Sequence, residues 1–130
     1  MSVKQITSHS QFMSVVGTFI AISMIPAAHR SHNQMMEEGK TAFVDFVSER
    51  CPYCKAIDPT FHELASKFSS DKIEFYTIDG EKLDDVSFEV GGITNYPTFI
   101  AFKDGNKMEE STFGADRERL QKFVEKYCSP

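Results

Sequence analysis

Cys51 and Cys54 stand two residues apart in the stretch E-R-C-P-Y-C-K, and they are two of only three cysteines in the chain. A disulfide between them closes so small a loop that it can constrain almost nothing in the unfolded chain, so the pair suits redox chemistry and not bracing of the fold. Pro52 fits the first position of a helix, where its missing N–H costs nothing; this places Cys51 at the cap and Cys54 one turn in. A thiolate at the cap is stabilised by unpaired backbone N–H groups and the positive helix end, with the charge of Arg50 next door. Counted against the apolar stripe Ile57, Phe61, Leu64, Ala65 and Phe68, the sulfur of Cys54 falls on the buried face, whereas Cys51 is expected to be exposed. The chemistry implied is thiol–disulfide exchange, with Cys51 attacking a substrate disulfide and Cys54 resolving the mixed disulfide. Cys54 must lose a proton to do so. Asp45, the only charge in the run T-A-F-V-D-F-V, is the candidate acceptor, acting through water, with a pKa that burial raises.

The elements that position these residues alternate. Thr41 to Val47 is a nearly continuous run of β-formers, as expected of a strand covered on both faces. The stripe from Ile57 to Phe68 makes the following segment a helix. Ile73 to Ile78 reads as a strand, Lys82 to Glu89 as a short helix and Pro97 to Phe102 as another strand. Lys103-Asp104-Gly105-Asn106 is a hairpin turn into an edge strand at about Lys107 to Thr112. Leu120, Phe123, Val124 and Tyr127 mark a closing helix. A βαβ unit followed by ββα predicts an α/β fold, a central mixed sheet with helices on both faces.

Composition narrows the function. At 130 residues, 41% hydrophobic and 25% charged, the chain is long enough for one core and too short for two ordinary domains. A net charge of −5 without a Lys/Arg cluster argues against nucleic acid as a partner. The apolar stretch Phe12 to Ile25 is shorter than the roughly 20 residues a spanning helix needs, so no stable membrane insertion is expected. Two readings of this region stand. In one, residues 1–28 are a signal peptide, with cleavage after the small residues of Pro26-Ala27-Ala28 sending the protein to an oxidising compartment. In the preferred one, Val3 to Ile6 is a short strand, Ser8 or Ser10 caps a helix with Phe12, Val15, Val16, Phe19 and Ile20 on its apolar face, and Pro26 ends it. His29 to Glu38 then forms a second helix that Gly39 stops. No ER-retention signal follows Tyr127-Cys128-Ser129-Pro130, which favours a cytoplasmic reductant. A zinc site needs four ligands, and beyond the cysteine pair only His62 and Cys128 are obvious donors, so no metal is expected. A redox-inactive binding module would have lost a cysteine, and both remain. Tyr53 and Tyr96, flanking the nucleophile, are read as substrate contacts.

From Thr41 to about Tyr127 the chain resembles the thioredoxin family. The features are V-D-F six residues before the first cysteine, C-x-x-C-K, Pro59 five residues after Cys54, I-D at Ile78-Asp79, Y-P-T-F at Tyr96 to Phe99, F-K-D-G at Phe102 to Gly105, and Gly114 before the last helix. Val3 to Ile6 resembles that family's first strand. The resemblance implies the thioredoxin-like fold and reduction of protein disulfides. It also implies no bound cofactor, with electrons from NADPH through thioredoxin reductase. It makes Pro97 a cis-proline facing the cysteines, Asp45 the buried acid and Pro59 a kink in the active-site helix, with Arg50, Pro52, Tyr53, Tyr96, Pro97 and Gly114 as the substrate-binding surface. The chain departs from the pattern at Arg50, where tryptophan is usual, at Pro52-Tyr53 in place of Gly-Pro, and at Phe75, which replaces the lysine that accompanies the buried acid. Residues 1–130 are expected to be one domain with an extension or insertion at about 17–38. The C-P-Y-C box itself resembles glutaredoxin, which makes a glutathione-dependent oxidoreductase the alternative, with Arg50 available to a glutathione carboxylate. Against that, the box lies behind an extra strand and helix, and Gly91-Gly92 precedes Pro97 where the glutaredoxin glycine pair follows its proline.

Overall fold

In a computed structural model the structure describes residues 3–17, 39–103 and 106–128. Its elements are β1 (Lys4–Ile6), α1 (His9–Phe12, continued by a wider π-helical turn at Met13–Gly17), β2 (Thr41–Val47) and α2 (Pro52–Phe68). They are followed by β3 (Ile73–Asp79), α3 (Asp84–Glu89), β4 (Thr98–Lys103), β5 (Asn106–Ser111) and α4 (Arg117–Cys128). The strands form one sheet in the order β1-β3-β2-β4-β5. β1 and β2 run parallel to β3, whereas β2–β4 and β4–β5 are antiparallel. This is the mixed sheet expected of βαβ followed by ββα.

Period-two alternation along the strands sends side chains into two cores. Ala42, Val44 and Phe46 of β2 join Tyr76, Ile78, Ile100 and Phe102 with Phe12, Val86 and Val90, under α1 and α3. Phe43 joins Phe75 and Phe99 with Ile57, Phe61, Leu64, Leu120, Phe123 and Val124, under α2 and α4. The second core is largely aromatic: Phe61 of α2 packs on Phe75 at 5.5 Å and on Phe99 at 5.6 Å, and Phe75 stacks on Phe43 at 4.9 Å. Such pairs contribute about 0.5–1.5 kcal/mol each beyond burial, and here they fasten α2 to the sheet. Phe75, where the resemblance would put a lysine, is therefore committed to that stack.

Ser8 is the cap of α1, its hydroxyl accepting from the N–H of Gln11. The short helix begins later than its sequence pattern suggests because the carboxylate of Asp79 accepts from the N–H groups of both Glu81 and Lys82 at 3.0 Å, holding those residues in a turn. The edge strand starts one residue early, at Asn106. The turn residues Asp104 and Gly105, the expected helix His29 to Glu38, the Pro26-Ala27-Ala28 site and nearly all of the 17–38 insertion lie outside the described residues.

Candidate active site

The register decides what meets at one end of the sheet. Phe46, next to last in β2, pairs with Thr98, the first residue of β4, while Val47 lies beside Asp79 at the end of β3. The loop Ser48 to Cys51 and the Tyr96-Pro97 segment therefore leave the sheet at the same edge, beyond the carboxyl ends of β2 and β3. That is where open α/β sheets place their sites. Gly80 N–H donates to Val47 O at 2.9 Å, which ties the β3 turn to the same edge.

Cys51 and Cys54 are joined by a disulfide, with Cα atoms 5.2 Å apart. Cys51 is the cap residue of α2 in extended conformation and Pro52 opens the helix, as the spacing predicts. The sulfur of Cys51 accepts from the N–H of Cys54 at 3.0 Å, so a free helix-end donor points at it. One expectation needs correction. Cys51 is not exposed: at 7% it is nearly as buried as Cys54 at 5%. Its sulfur is bonded to that of Cys54 and accepts from the helix-end N–H, and the exposed apolar side chain beside the pair is Tyr53, at 63%. Arg50 and Pro52 are exposed beside it. The N–H of Arg50 donates to the Ser48 hydroxyl at 3.3 Å, and that hydroxyl donates to Glu81.

The Tyr96–Pro97 peptide bond is cis and Pro97 is buried. Tyr96, expected to be a substrate contact, is only partly exposed. Its ring packs against the first core, and a Cβ at Gly80 would fall 2.7 Å from its Cε1. Its hydroxyl, hydrogen-bonded with Ser87, has its pKa raised, mainly by burial. Only part of the ring is left for a substrate. Gly114 takes φ +59° in the turn before α4, where a Cβ would meet open space, so left-handed backbone and not crowding calls for glycine.

Asp45 occupies a position on the second-core face where its strand neighbour Phe43 is packed in aromatic rings. It is fully buried, flanked by Thr77 of β3 and Phe99 of β4, and neither carboxylate oxygen has a hydrogen-bond partner among the described residues. Burial, reinforced by the negative charge of Asp58, pushes its pKa well above the ordinary aspartate range. Asp58 was not evident as a site residue from motifs. Its signal is positional: four residues after Cys54, it shares that residue's helix face. His62 is exposed on α2, and Cys128 is a free, half-buried thiol whose pKa is pushed up to about 11, by burial first and then by Glu125. Among the described residues no helix is long and apolar enough to cross a membrane, and no three His, Cys, Asp or Glu side chains gather as metal ligands.

The thioredoxin family profile matches residues 23–126. Thioredoxin H2 of Arabidopsis thaliana is 35% identical over 94 residues, covering 72% of this chain and 68% of that protein. A thioredoxin of Malassezia sympodialis is 31% identical over 103 residues, covering 79% and 96%. The crystal structure of Malassezia sympodialis thioredoxin superposes with a TM-score of 0.75 at 30% identity, covering 98% of this chain and 92% of that one. The oxidised thioredoxin of Plasmodium falciparum in solution superposes at 0.71 and 29% identity, covering 98% and 100%. With the C-x-x-C pair at a helix cap and disulfide-bonded, these matches make the chain a member of the thioredoxin family, a thiol–disulfide oxidoreductase with Cys51 and Cys54 as its redox pair.

Proposed function

We propose that the chain reduces protein disulfides, with Cys51 as nucleophile, Cys54 as resolving thiol and Asp45 as proton acceptor. In the dithiol state Cys51 stands at the helix cap, where the N–H that now points at its sulfur stabilises a thiolate. The thiolate attacks a substrate disulfide, forming one S–S bond and expelling one substrate sulfur. Cys54 then attacks the sulfur of Cys51, its proton passing toward Asp45; the second substrate sulfur leaves, and the Cys51–Cys54 disulfide forms. Arg50, Pro52 and Tyr53 supply the exposed rim, Pro97 and the free part of Tyr96 the opposite wall, and Gly114 an open backbone surface. Electrons come from NADPH through thioredoxin reductase, with no cofactor bound by the chain itself, which fits a cytoplasmic protein.

The observation that carries this reading is the disulfide seated at the start of α2 with an accepting Cys51 sulfur. The C-P-Y-C box keeps the glutaredoxin reading as its competitor, in which glutathione alone restores the dithiol. Insulin reduction with NADPH and thioredoxin reductase, run beside turnover with glutathione and glutathione reductase, separates the two. Efficient turnover in the first system and slow turnover in the second is expected; the reverse order would overturn the assignment of the reductant.

A further inference from the structure

Residues four apart on a helix share a face, so Cys54, Asp58 and His62 form a column along α2 that starts at the redox pair. Cys54 and Asp58 both line an open groove of about 260 Å³, with Val47, Ser48, Lys55 and Thr77 as its other walls. Two of those walls border Asp45: Val47 is two residues further along the same face of β2, and Thr77 is the residue paired with Asp45 in β3. Asp58 is half-exposed, and Nε2 of His62 stands 3.4 Å from its Oδ1. The groups around Asp45 come from three sides. Thr77 from β3 and Phe99 from β4 do not ionise in any accessible range. From α2, Cys54, Lys55 and Asp58 line the groove and His62 faces Asp58, while Glu81 reaches the groove wall through the Ser48 hydroxyl.

We propose that Asp58 is the solvent-side half of a carboxylate pair that moves the proton of Cys54 from Asp45 out to water. The proposal rests on the reading of Asp45 as proton acceptor and adds a second group to it. As the sulfur of Cys54 bonds to that of Cys51, its S–H proton goes to the Asp45 carboxylate. The bond between Cys51 and the substrate sulfur breaks, and the substrate leaves as thiolate with the electron pair. The two electrons lost by the dithiol are those gained by the substrate. Asp45 is sealed and cannot exchange with solvent directly, whereas Asp58 reaches the groove mouth. The negative charge of Asp58 also makes Asp45 hold a proton more tightly, which brings the acceptor closer to a thiol in proton affinity and so improves it as a base. Asp58 acts through Asp45 and is a positioning residue in this scheme.

The test follows resolution of a preformed mixed disulfide on the full chain as a function of pH, together with NMR titration of the Asp45 side-chain carbon in the oxidised protein. Resolution rises with pH as Asp45 ionises. Asp58→Asn removes a neighbouring negative charge, so both the rising limb and the Asp45 titration should move to lower pH, and Asp58→Lys should move them further. In Asp45→Asn the limb should vanish, and adding Asp58→Asn should then change nothing. If Asp45→Asn removes the limb while Asp58→Asn leaves limb and titration in place, Asp58 has no part and only this inference fails. If Asp45→Asn keeps the limb, the acceptor itself is misassigned and the proton path fails with it.

Discussion

At residue scale, Asp45 and Arg50 carry separable consequences. Asp45 has a folded-state pKa above its unfolded value, so the folded protein binds this proton more tightly. Its share of stability is whole below the ordinary aspartate range and is lost as pH rises from there through the raised pKa. At higher pH a buried charge remains that has no hydrogen-bond partner among the described residues. Asp45→Leu should therefore stabilise the fold by about 1–4 kcal/mol, most clearly above the raised pKa, and flatten the fall in stability. Denaturant midpoints across pH measure this, and a Leu variant less stable at every pH would make Asp45 a structural hydrogen-bonding residue. The second consequence concerns potential. On the proposed mechanism, Arg50 beside Cys51 and Pro-Tyr in place of Gly-Pro should favour the attacking thiolate and so stabilise the dithiol. The potential should then lie above about −270 mV, the thioredoxin reference, and towards the glutaredoxin range of about −200 to −230 mV. Equilibration against a glutathione buffer measures it; a value at or below the reference would remove any role for these substitutions.

At the scale of elements, α3 is held against the end of β3 by a contact that leaves no room for a side chain. A methyl at Gly80 would stand 2.7 Å from Tyr96 Cε1 and 3.1 Å from Ser87 Oγ, and the Ser87 hydroxyl already donates to Gly80 O at 2.7 Å. Gly80→Ala should force the Tyr96 ring outward and cost about 1–3 kcal/mol. In a Tyr96→Ala background the same change should cost much less, a coupling that a double-mutant cycle detects. Additive costs would mean that the ring is not what fills the space. The elements themselves were largely legible. β2 is buried residue after residue on both faces and the α2 stripe recurs at helical spacing, with Ile57, Phe61, Leu64 and Ala65 all buried. The start of α3 was not, because an Asp79 side chain bonding to the backbone overrides local helix propensity. The burial of Cys51 was not either: a half-cystine's exposure depends on its partner, not on helix phase. Tyr96 lies on Gly80, far away in sequence, and no local pattern reports that contact.

At the scale of the molecule, two cores on opposite faces of one sheet leave the redox pair on the edge where β2 and β3 end and β4 begins. Both the family and the cysteine pair follow from a chain of motifs spread over Thr41 to Tyr127; Asp58 escaped because it belongs to no motif and matters only once α2 lies over Asp45. The proposed function requires one sulfur of the pair to meet a foreign disulfide while the other resolves the mixed disulfide. Capture of a protein substrate tests this most directly, in a Cys128→Ser background that removes the third thiol. Reduced Cys54→Ser mixed with insulin should accumulate a mixed disulfide through Cys51, seen as the added mass of an insulin chain. Cys51→Ser should accumulate almost none. Equal capture by the two variants, or capture through Cys54 alone, would contradict the division of labour between the cysteines.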